Sequence, residues 1–480
     1  MANHPSTRLR TGWTGKRVLI FGLGQFPKGS GVTAALWFAE QGARVTVTDM
    51  KTADQMPATV RQLRGKRNVT LVLGKHRKSD FARADLIMRN PGVPWHSPYL
   101  ELAKRRGIPV HSDVSLFLDA CAAPVVGITG TRGKSTTSAL TAAMLEASGY
   151  RTWLGGNILV SPLSFLHRVK PGHRVVLELS SFLTETLGPD RCAPQVAVMT
   201  NLMRDHLNFY PDMKTYAAAK ERIFTFQSLT SAAVVGRDNA WTRAMGARVV
   251  GRRYWWSTKP FTEENGAFLR GFRLVFRENG KERIVADLKT MRLLGEHNRA
   301  NAVAAAMAAI AAGASDIGIR KGLRSFKGLP NRQEVIAQKG GVRFVNDTTA
   351  TTPDALLAAL QSFGSPSTRS ARSGKRIVLI TGGSDKNLDF RDIPEPVRRA
   401  VRTMILLPGS GTDKMVAAFR KQGIRVPAFT ADSMDAAVTL AAGIAERGDT
   451  VLLSPGCTSF GLFKNEFDRG ERFRESVAGL

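Results

Sequence analysis

The chain has 480 residues, which is too long for one compact core and indicates about three domains. A hydrophobic share of 43% with 45 glycines and 22 prolines is typical of a globular protein rich in turns. No apolar stretch reaches the roughly 20 residues that span a bilayer, and the N-terminus lacks the apolar core of a secretory signal. We therefore expect no membrane insertion and a cytoplasmic location.

The formal net charge of +30 exceeds what one or two phosphorylated ligands would require. Basic residues are scattered along the chain and are not interleaved with aromatic residues as in a single-strand binding groove. We interpret them as a solvated basic surface, with no specific nucleic-acid partner. The three cysteines, Cys121, Cys192 and Cys457, lie far apart without metal-ligand spacing and are expected to be reduced.

The first predicted elements form a strand, a glycine turn, a helix and a second strand. The apolar run at 17–22 leads into GLGQFPKGSG and an apolar-periodic helix, and the next strand ends at Asp49. Further strand patterns begin near residues 70, 84 and 108. This alternation predicts a small, doubly wound, Rossmann-like α/β domain over residues 1–120.

Two further α/β domains are predicted after it. Residues 121–325 begin with a buried strand that enters a glycine-rich turn and a helix, and they end with the Ala-rich helix at 301–313. This pattern is typical of a phosphate-loop ATPase domain with a mostly parallel sheet. Residues 326–480 repeat the strand and helix rhythm and predict a second Rossmann-like domain. The basic, Ser-rich segment at 365–375 is expected to be a mobile surface loop.

The sharpest local motif is GITGTRGKST at 127–136. Its glycines let backbone N–H groups approach phosphate, while Lys134 can reach the terminal phosphate oxygens and Ser135 can ligate Mg2+. The spacing from Gly127 is one residue longer than the standard loop, so the motif is better described as the compact form that starts at Gly130. The preceding strand and following helix are the context that this chemistry needs.

Three side chains downstream are candidate partners of that loop. Glu178 ends one predicted strand and His206 follows another, so both are expected at a crevice where they could hold Mg2+. Taken alone, His206 would more often be a structural histidine. Lys220, within YAAAKERIF, would alone be an ordinary solvated lysine on a helix.

Successive blocks of the chain resemble the Mur ligase family, in its glutamate-adding members. These blocks cover nearly the whole chain in the family's order and are GITGTRGKST, ELSSF, TNLMRDHLNFY, YAAAKERIF, LGEHNRANAVAA, FKGLPNRQEV, TGGSDKNLDF and LLSPGCTSFGLFKNEFDRG. The resemblance implies a monomeric, ATP- and Mg2+-dependent ligase of peptidoglycan precursor synthesis that adds D-glutamate to UDP-N-acetylmuramoyl-L-alanine through an acyl phosphate.

The resemblance also implies roles for individual residues. The residues implied to be catalytic are Lys134, Glu178, His206 and Lys220. The residues implied to bind ATP are Gly130, Thr131, Gly133, Lys134, Ser135, Thr136, Asn298, Asn301, Arg332 and Asp347. The magnesium ligands are Ser135, Glu178, His206 and Lys220, the last as a carbamate. The residues implied to bind the UDP-sugar are Gly22, Gly24, Asp49, Lys51, Asn90, Asn157 and Ser180. The residues implied to bind the amino acid are Thr351, Lys386 and Ser459 in the C-terminal domain.

Several positions depart from the family pattern. Thr349 replaces a lysine and Glu466 an aromatic residue near the expected glutamate site, which should weaken glutamate binding or change its geometry. Arg132 stands where asparagine is common in the ATP loop, and Leu183 where glutamine often follows Ser-Ser-Phe. The Gly22 and Gly24 turn with Asp49 also resembles a dinucleotide fingerprint, and the other blocks favour UDP over NAD.

Alternative functions remain open at this point. One is a related ligase that uses L-glutamate or another amino acid, and another is a folylpolyglutamate synthase. A third is a non-catalytic ATP-binding protein that uses its basic surface to bind nucleic acid; salt-sensitive nucleic-acid binding without amino-acid-dependent phosphate release would favour it.

Overall fold

The computed structural model describes residues 12–158, 160–188, 193–207, 209–364 and 376–480. Cys192 and the predicted surface loop at 365–375 lie outside the described residues. The chain divides into two compact units, which are residues 1–291 with 300–326, and residues 292–299 with 327–480. Each is described by itself. The three-domain boundaries at 120 and 325 stay a prediction.

The first unit contains two sheets. The five-stranded sheet has the order β3-β2-β1-β4-β5 and is parallel throughout. Its strands are β1 Arg17–Phe21, β2 Arg44–Asp49, β3 Val69–Leu73, β4 Leu86–Arg89 and β5 Val110–His111. Its helices are α1 Ser30–Glu40, α2 Pro57–Leu63, α3 Lys78–Arg83, α4 Pro98–Arg105 and α5 Asp113–Ala120. This part is the doubly wound layout that the sequence predicted.

The second sheet has nine strands in the order β14-β13-β12-β11-β10-β9-β6-β8-β7. The strands are β6 Val125–Thr129, β7 Thr152–Gly156, β8 Arg174–Glu178, β9 Val196–Met199, β10 Ala232–Gly236, β11 Arg252–Ser257, β12 Gly266–Arg270, β13 Arg273–Glu278 and β14 Lys281–Asp287. The helices are α6 Lys134–Ala147, α7 Ser181–Thr184, α8 Met213–Thr225, α9 Ala240–Gly246, α10 Glu296–Ala311 and α11 Asp316–Ser325. The first four residues of α10 belong to the second unit. Short 3-10 turns cover Pro162–Ser164, Leu166–Arg168 and Leu288–Thr290.

The strands β6 and β9 of this sheet are buried along their whole length, and β8 is buried from its second residue onward. They carry near-continuous runs of Val, Ile and Leu because helices cover both faces of the parallel part. Only the β12 to β14 end is antiparallel, so the sheet is mostly parallel as predicted. This antiparallel extension is absent from the elements predicted above.

The second unit has one six-stranded sheet in the order β15-β16-β20-β17-β18-β19. Its strands are β15 Glu334–Lys339, β16 Val342–Asn346, β17 Ile377–Gly382, β18 Val401–Leu407, β19 Ala428–Thr430 and β20 Thr450–Leu453. Its helices are α12 Pro353–Gly364, α13 Pro394–Ala400, α14 Ser410–Lys421, α15 Met434–Ile444 and α16 Glu466–Ala478. All pairings but β15 with β16 are parallel, which confirms the predicted α/β class.

The described part of the chain contains no helix that is both long and apolar enough to cross a membrane. Two cysteines in it are free, with Cys457 buried and Cys121 partly buried. Burial raises the pKa of the Cys457 thiol to about 12, so that thiol is protonated and unreactive near neutral pH.

Candidate active site

The phosphate loop lies between two strands that carry other candidate residues. Strand β6 has β8 on one side and β9 on the other, all parallel, with Ile128 opposite Glu178 and Thr129 opposite Met199. The carboxyl ends of parallel strands meet at one edge of a sheet. The fold therefore brings together the loop after β6, Glu178 at the end of β8, and the segment that leads from β9 to His206.

Two glycines of the loop are required by close packing. Gly130 has φ of +149° and Gly133 has φ of +80°, a region that side chains rarely adopt. A methyl group at Gly130 would lie 1.9 Å from Thr200 Oγ1, and one at Gly133 would lie 2.1 Å from Asn301 Oδ1. Gly133 also caps the N-terminus of α6, which presents its first backbone N–H groups towards the loop.

Hydrogen bonds tie the loop to the segment after β9. The Thr131 N–H donates to the Asn201 carbonyl at 2.9 Å, and the Arg132 N–H donates to Asn201 Oδ1 at 2.9 Å. The Thr200 hydroxyl donates to the Arg132 carbonyl at 2.8 Å. Lys134, the first residue of α6, donates from Nζ to the Thr131 carbonyl at 3.0 Å. The loop therefore has a fixed shape around the lysine that is expected to meet phosphate.

Lys220 is buried beneath the loop. It is 1% exposed, and its Nζ donates to the Gly130 carbonyl at 2.9 Å. The solvated-lysine interpretation is therefore wrong. Burial lowers the pKa of Lys220 well below its ordinary value, and the charge of Lys134 adds to this, while Asp205 and Glu178 oppose it. A lysine whose neutral form is favoured can react as an amine.

Glu178 has one oxygen in use and one without a partner. Asn157 donates from Nδ2 to Glu178 Oε1 at 3.1 Å, while Oε2 is buried and makes no hydrogen bond. Glu178 is 2% exposed, so this oxygen is shielded from bulk solvent. An unpartnered carboxylate oxygen beside the phosphate loop fits a magnesium ligand, because hard cations prefer oxygen donors.

His206 has a strained backbone that its surroundings hold in place. Its φ is +55°, and its carbonyl accepts from the Phe209 and Tyr210 N–H groups at 2.9 and 3.0 Å. Its ring packs 5.5 Å from the Phe182 ring and 5.8 Å from the Tyr216 ring, between centroids. Strain of this kind persists where the surrounding structure determines the conformation, often at functional sites.

Sequence reasoning missed the role of Asp205. Its Oδ2 pairs with Arg132 Nη1 at 3.0 Å, and its Oδ1 accepts from the His206 N–H at 2.9 Å. Arg132, noted only as a departure, is thus paired across the two loops. No three His, Cys, Asp or Glu side chains in the described ranges cluster as a metal-ligand set. The ligands of a magnesium ion here would therefore include phosphate oxygens, Ser135 and a Lys220 carbamate.

The candidate UDP-sugar residues fall into two groups in the first unit. Asp49 Oδ2 accepts from the Leu23 and Gly24 N–H groups at 2.8 and 3.4 Å, and its Oδ1 accepts from the Lys51 N–H at 3.0 Å. The Asn90 side chain lies against the turn, 2.9 Å from a methyl group placed on Gly22. These five residues are brought together.

Asn157 and Ser180 form the other group, beside Glu178 in the nine-stranded sheet. The Asn157 N–H donates to the Glu178 carbonyl at 2.9 Å. Ser180 is the N-cap residue of α7, and its hydroxyl is buried without a partner.

Two candidate ATP-binding residues lie on helices of the same unit. Thr136 lies in the first turn of α6, and Asn301 lies on α10, where its Oδ1 accepts from Thr137 Oγ1 at 3.5 Å.

In the second unit, Asp347 follows β16 in a buried position. It accepts from Ser454 Oγ at 2.9 Å and from the Gln333 N–H at 3.1 Å. Burial raises the pKa of Asp347 to about 7, although these hydrogen bonds and the charges of Arg332 and Arg469 oppose the rise. Asn298, at the start of α10, donates to the Leu294 carbonyl at 2.7 Å.

Arg332 lies in a turn with unusual backbone geometry. Its neighbours Asn331 and Gln333 have φ of +64° and +47°. Asn331 Oδ1 accepts from Asn346 Nδ2 at 2.9 Å, which fixes the turn against β16. Strain on both sides of one arginine was not foreseen from the sequence, because neither neighbour is glycine.

The candidate amino-acid residues follow three adjacent strands of the second sheet. Thr351 follows β16, Ser459 follows β20, and Lys386 follows β17, so all three lie at one edge. The segments are tied together, since Ser384 and Thr458 exchange backbone hydrogen bonds of 3.0 and 3.1 Å. Ser459 also lines a shallow surface depression with Gly382, Gly383, Leu407, Pro408, Thr458, Phe460, Leu462, Phe463 and Arg469.

The two departures in this region have structural explanations. The Thr349 hydroxyl donates to the Asn331 carbonyl at 2.9 Å, so it braces the strained turn. Glu466 begins α16, where an acidic residue is favoured by the helix dipole, and its carbonyl accepts from Thr348 Oγ1 at 2.8 Å. Neither replaces the missing lysine charge.

A phosphate loop on a parallel sheet, followed by a buried lysine and an unpartnered glutamate oxygen, defines a nucleotide-dependent phosphate-transferring enzyme. Family models match three parts of the chain: the Mur ligase MurD-like N-terminal domain at 16–112, the Mur ligase middle domain at 128–309, and the Mur ligase glutamate ligase domain at 331–457. The chain belongs to the Mur ligase family and is an ATP-dependent, amide-bond-forming ligase.

Relatives match over nearly the full length. The UDP-N-acetylmuramoylalanine–D-glutamate ligase of Roseiflexus sp. (strain RS-1) is 39% identical over 96% of this chain and 98% of its own. That of Geobacter metallireducens is 35% identical over 97% of this chain and 98% of its own. The UDP-N-acetylmuramate-alanine ligase of Thermotoga maritima shares the fold, with a TM-score of 0.60, 19% identity, and coverage of 96% of this chain and 99% of that one.

Proposed function

We propose that this ligase adds D-glutamate to UDP-N-acetylmuramoyl-L-alanine, with ATP as phosphoryl donor, in cytoplasmic peptidoglycan precursor synthesis. The observation that carries the ATP chemistry is the burial of Lys220 and Glu178 beside the phosphate loop, with one oxygen of Glu178 unpartnered. The choice of substrates rests on relatives named as D-glutamate ligases that match from end to end.

The first step makes an acyl phosphate. A carboxylate oxygen of the L-alanyl group attacks the γ-phosphorus of ATP, the bond from that phosphorus to the bridging oxygen breaks, and ADP leaves. Lys134 offsets the negative charge of the transferring phosphoryl group, and the N–H groups at the start of α6 hold phosphate oxygens. Arg332, Asp347 and Asn298 of the second unit are assigned to ATP on the family resemblance.

The second step makes the amide bond. The neutral amine of D-glutamate attacks the acyl carbon, the tetrahedral intermediate expels inorganic phosphate, and the nitrogen releases one of its two protons to solvent. Lys386, Thr351 and Ser459 are assigned to the glutamate carboxylates on the family resemblance, and their positions at one edge of the second sheet support this.

Magnesium would be held by Glu178 and His206, by Ser135, and by Lys220 once carbamylated. When bound, magnesium withdraws charge from the phosphoryl oxygens. The chain's own contribution is to orient these donors, through Asn157 at the buried Glu178 side chain and Asp205 at the His206 backbone N–H. A monomeric state and the absence of a specific nucleic-acid partner stay predictions.

The test measures phosphate release from ATP and Mg2+ with UDP-N-acetylmuramoyl-L-alanine, in the presence of D-glutamate, L-glutamate or neither. We expect release only with D-glutamate. The matched variant Lys134→Met should lose activity by about a hundredfold or more while it still binds the UDP-sugar. Release driven by L-glutamate, or full activity in the Lys134 variant, would contradict the proposal.

A further inference from the structure

A buried arginine joins the five-stranded sheet to helix α7 of the nine-stranded sheet. Arg89 is the last residue of β4, and its side chain is fully buried. Its Nη2 donates to the Phe182 carbonyl at 2.5 Å, and its Nη1 donates to the Val93 carbonyl. The guanidinium also lies 4.3 Å above the Trp95 ring. One side chain thus holds the turn after β4 and the helix α7 together.

The surroundings of Arg89 contain an acidic partner. Burial lowers the pKa of the Arg89 guanidinium to about 10, and the Glu185 carboxylate opposes this shift. Burial likewise raises the pKa of Glu185, opposed by Tyr210, Arg89 and Trp95. Each charge therefore favours the charged form of the other, so removing one makes burial of the other less favourable.

Polar side chains are concentrated at this junction. Of the 13 buried side-chain atoms without a close hydrogen-bond partner in the described ranges, six lie here. They are Arg89 Nε, Trp95 Nε1, Ser180 Oγ, Ser181 Oγ, Glu185 Oε2 and Tyr210 Oη. Four of these side chains interact with one another, since Tyr210 and Trp95 act on the Glu185 carboxyl group and Ser181 acts on Tyr210. Burying a polar network around one guanidinium costs free energy, as is common at functional sites.

The two segments that Arg89 joins carry candidate ligand contacts on both sides. On one side, Asn90 follows Arg89 directly and lies over the Gly22 turn. On the other, Phe182 is two residues from Ser180 and its ring packs against His206. A shift of the Phe182 backbone would therefore move Ser180 relative to Asn90.

We propose that Arg89 is a positioning residue, which fixes the distance between the Asn90 and Ser180 contacts to one nucleotide-sugar ligand. The inference rests on the proposed function, because it needs both residues to bind the same molecule. Arg89 touches no reacting atom. Its planar guanidinium reaches two carbonyl groups at once, which the single ammonium of a lysine does not reproduce.

The experiment compares Arg89→Met, Arg89→Lys and Glu185→Gln with the unchanged chain, at a temperature well below unfolding. Calorimetry gives Kd for UDP-N-acetylmuramoyl-L-alanine, and steady-state assays give KM for each substrate. We expect Arg89→Met to raise Kd and KM for the UDP-sugar about tenfold or more, with KM for ATP changed less than about twofold. Arg89→Lys should recover only part of this loss.

The matched control is Arg17→Met. Arg17 is at the opposite end of the neighbouring strand β1, where it pairs with Asp85 at 2.9 Å on the surface. It should leave Kd unchanged. If Arg89→Met does not fold, Glu185→Gln tests the same junction and should raise Kd about threefold or more.

Unaltered Kd in Arg89→Met, or in Glu185→Gln where only that variant folds, with no effect beyond a lower melting temperature, would overturn the proposal and leave a packing role. An equal rise in KM for ATP would also overturn it. Failure of the proposed function is distinct, because the unchanged chain would then show no D-glutamate-dependent phosphate release.

Discussion

Lys220 and Gly130 are joined by a buried hydrogen bond, in which the lysine Nζ donates to the glycine carbonyl at 2.9 Å. The lysine lies on α8 and the glycine opens the phosphate loop, so the bond ties a helix to the loop that is expected to hold ATP. Lys134, on the same loop, adds its positive charge nearby. The positive charge of Lys134 therefore favours the neutral form of the buried Lys220.

The first prediction concerns carbon dioxide. Because its lowered pKa favours the neutral amine, Lys220 can add to carbon dioxide and become an anionic carbamate, which would relieve the repulsion from Lys134. We expect phosphate release to fall several-fold in buffer depleted of carbon dioxide and to return with bicarbonate. Lys220→Met should be about a hundredfold less active and indifferent to bicarbonate. Full activity without carbon dioxide would show that no carbamate is needed.

The second prediction concerns Glu178. In Glu178→Gln, the amide oxygen can keep the hydrogen bond from Asn157, while the charge at the unpartnered position is lost. We expect the magnesium concentration for half-maximal activity to rise about tenfold or more, with the melting temperature unchanged or higher, because a buried charge is removed. Magnesium titrations of phosphate release measure this.

A matched control exists in the same unit. Glu263 also has a buried Oε2 without a partner, while its Oε1 pairs with Arg237 at 2.6 Å. Glu263→Gln should leave the magnesium dependence unchanged. If both variants weaken it equally, the effect of Glu178→Gln would be a general loss of structure.

The third prediction is a dependence of stability on pH in the second unit. Asp347 has a pKa of about 7 when folded, against an ordinary 3.8, so the folded chain binds its proton more tightly. Its contribution to stability is therefore fully present below about pH 4 and is lost as pH rises through 7. In Asp347→Asn this dependence is absent.

Urea unfolding at pH 5 and pH 8 measures the difference. We expect the free energy of unfolding of Asp347→Asn, relative to the unchanged chain, to improve by about 1 to 3 kcal/mol from the lower to the higher pH. Asp435, which is exposed, serves as control through Asp435→Asn, with no such change. A constant difference between the two pH values would show that Asp347 is already ionised at pH 5.

The order of elements and the phosphate loop could be predicted from the sequence, because strand runs and glycine turns are local patterns. Arg89, Asp205 and the strained turn around Arg332 could not, since their roles depend on partners distant in the chain. One local feature does mark Arg89: it is a charged residue directly after the apolar residues Leu86 to Met88, at the end of a predicted buried strand. The antiparallel strands β12 to β14 were missed because their apolar runs are short and their charged residues cluster at the strand ends instead of alternating along them.

The last prediction concerns the missing lysine at position 349. The glutamate substrate is anionic, and Thr349 supplies only a hydroxyl that is already donated to the Asn331 carbonyl. Thr349 is only partly buried, so a longer side chain has an outlet. We expect Thr349→Lys to lower KM for D-glutamate about three- to tenfold through one added charge, with KM for ATP little changed.

Glu466→Gln provides the comparison, because it removes an anion from the same region without adding a cation. Its KM for D-glutamate should also fall, but its stability should drop by about 0.5 kcal/mol, since an acidic residue in the first turn of α16 favours the helix. Initial rates against D-glutamate concentration and thermal unfolding separate the two effects. If neither variant changes KM, the remaining cations of the second unit, Lys386 foremost, already balance the glutamate carboxylates, and the departures are compensated.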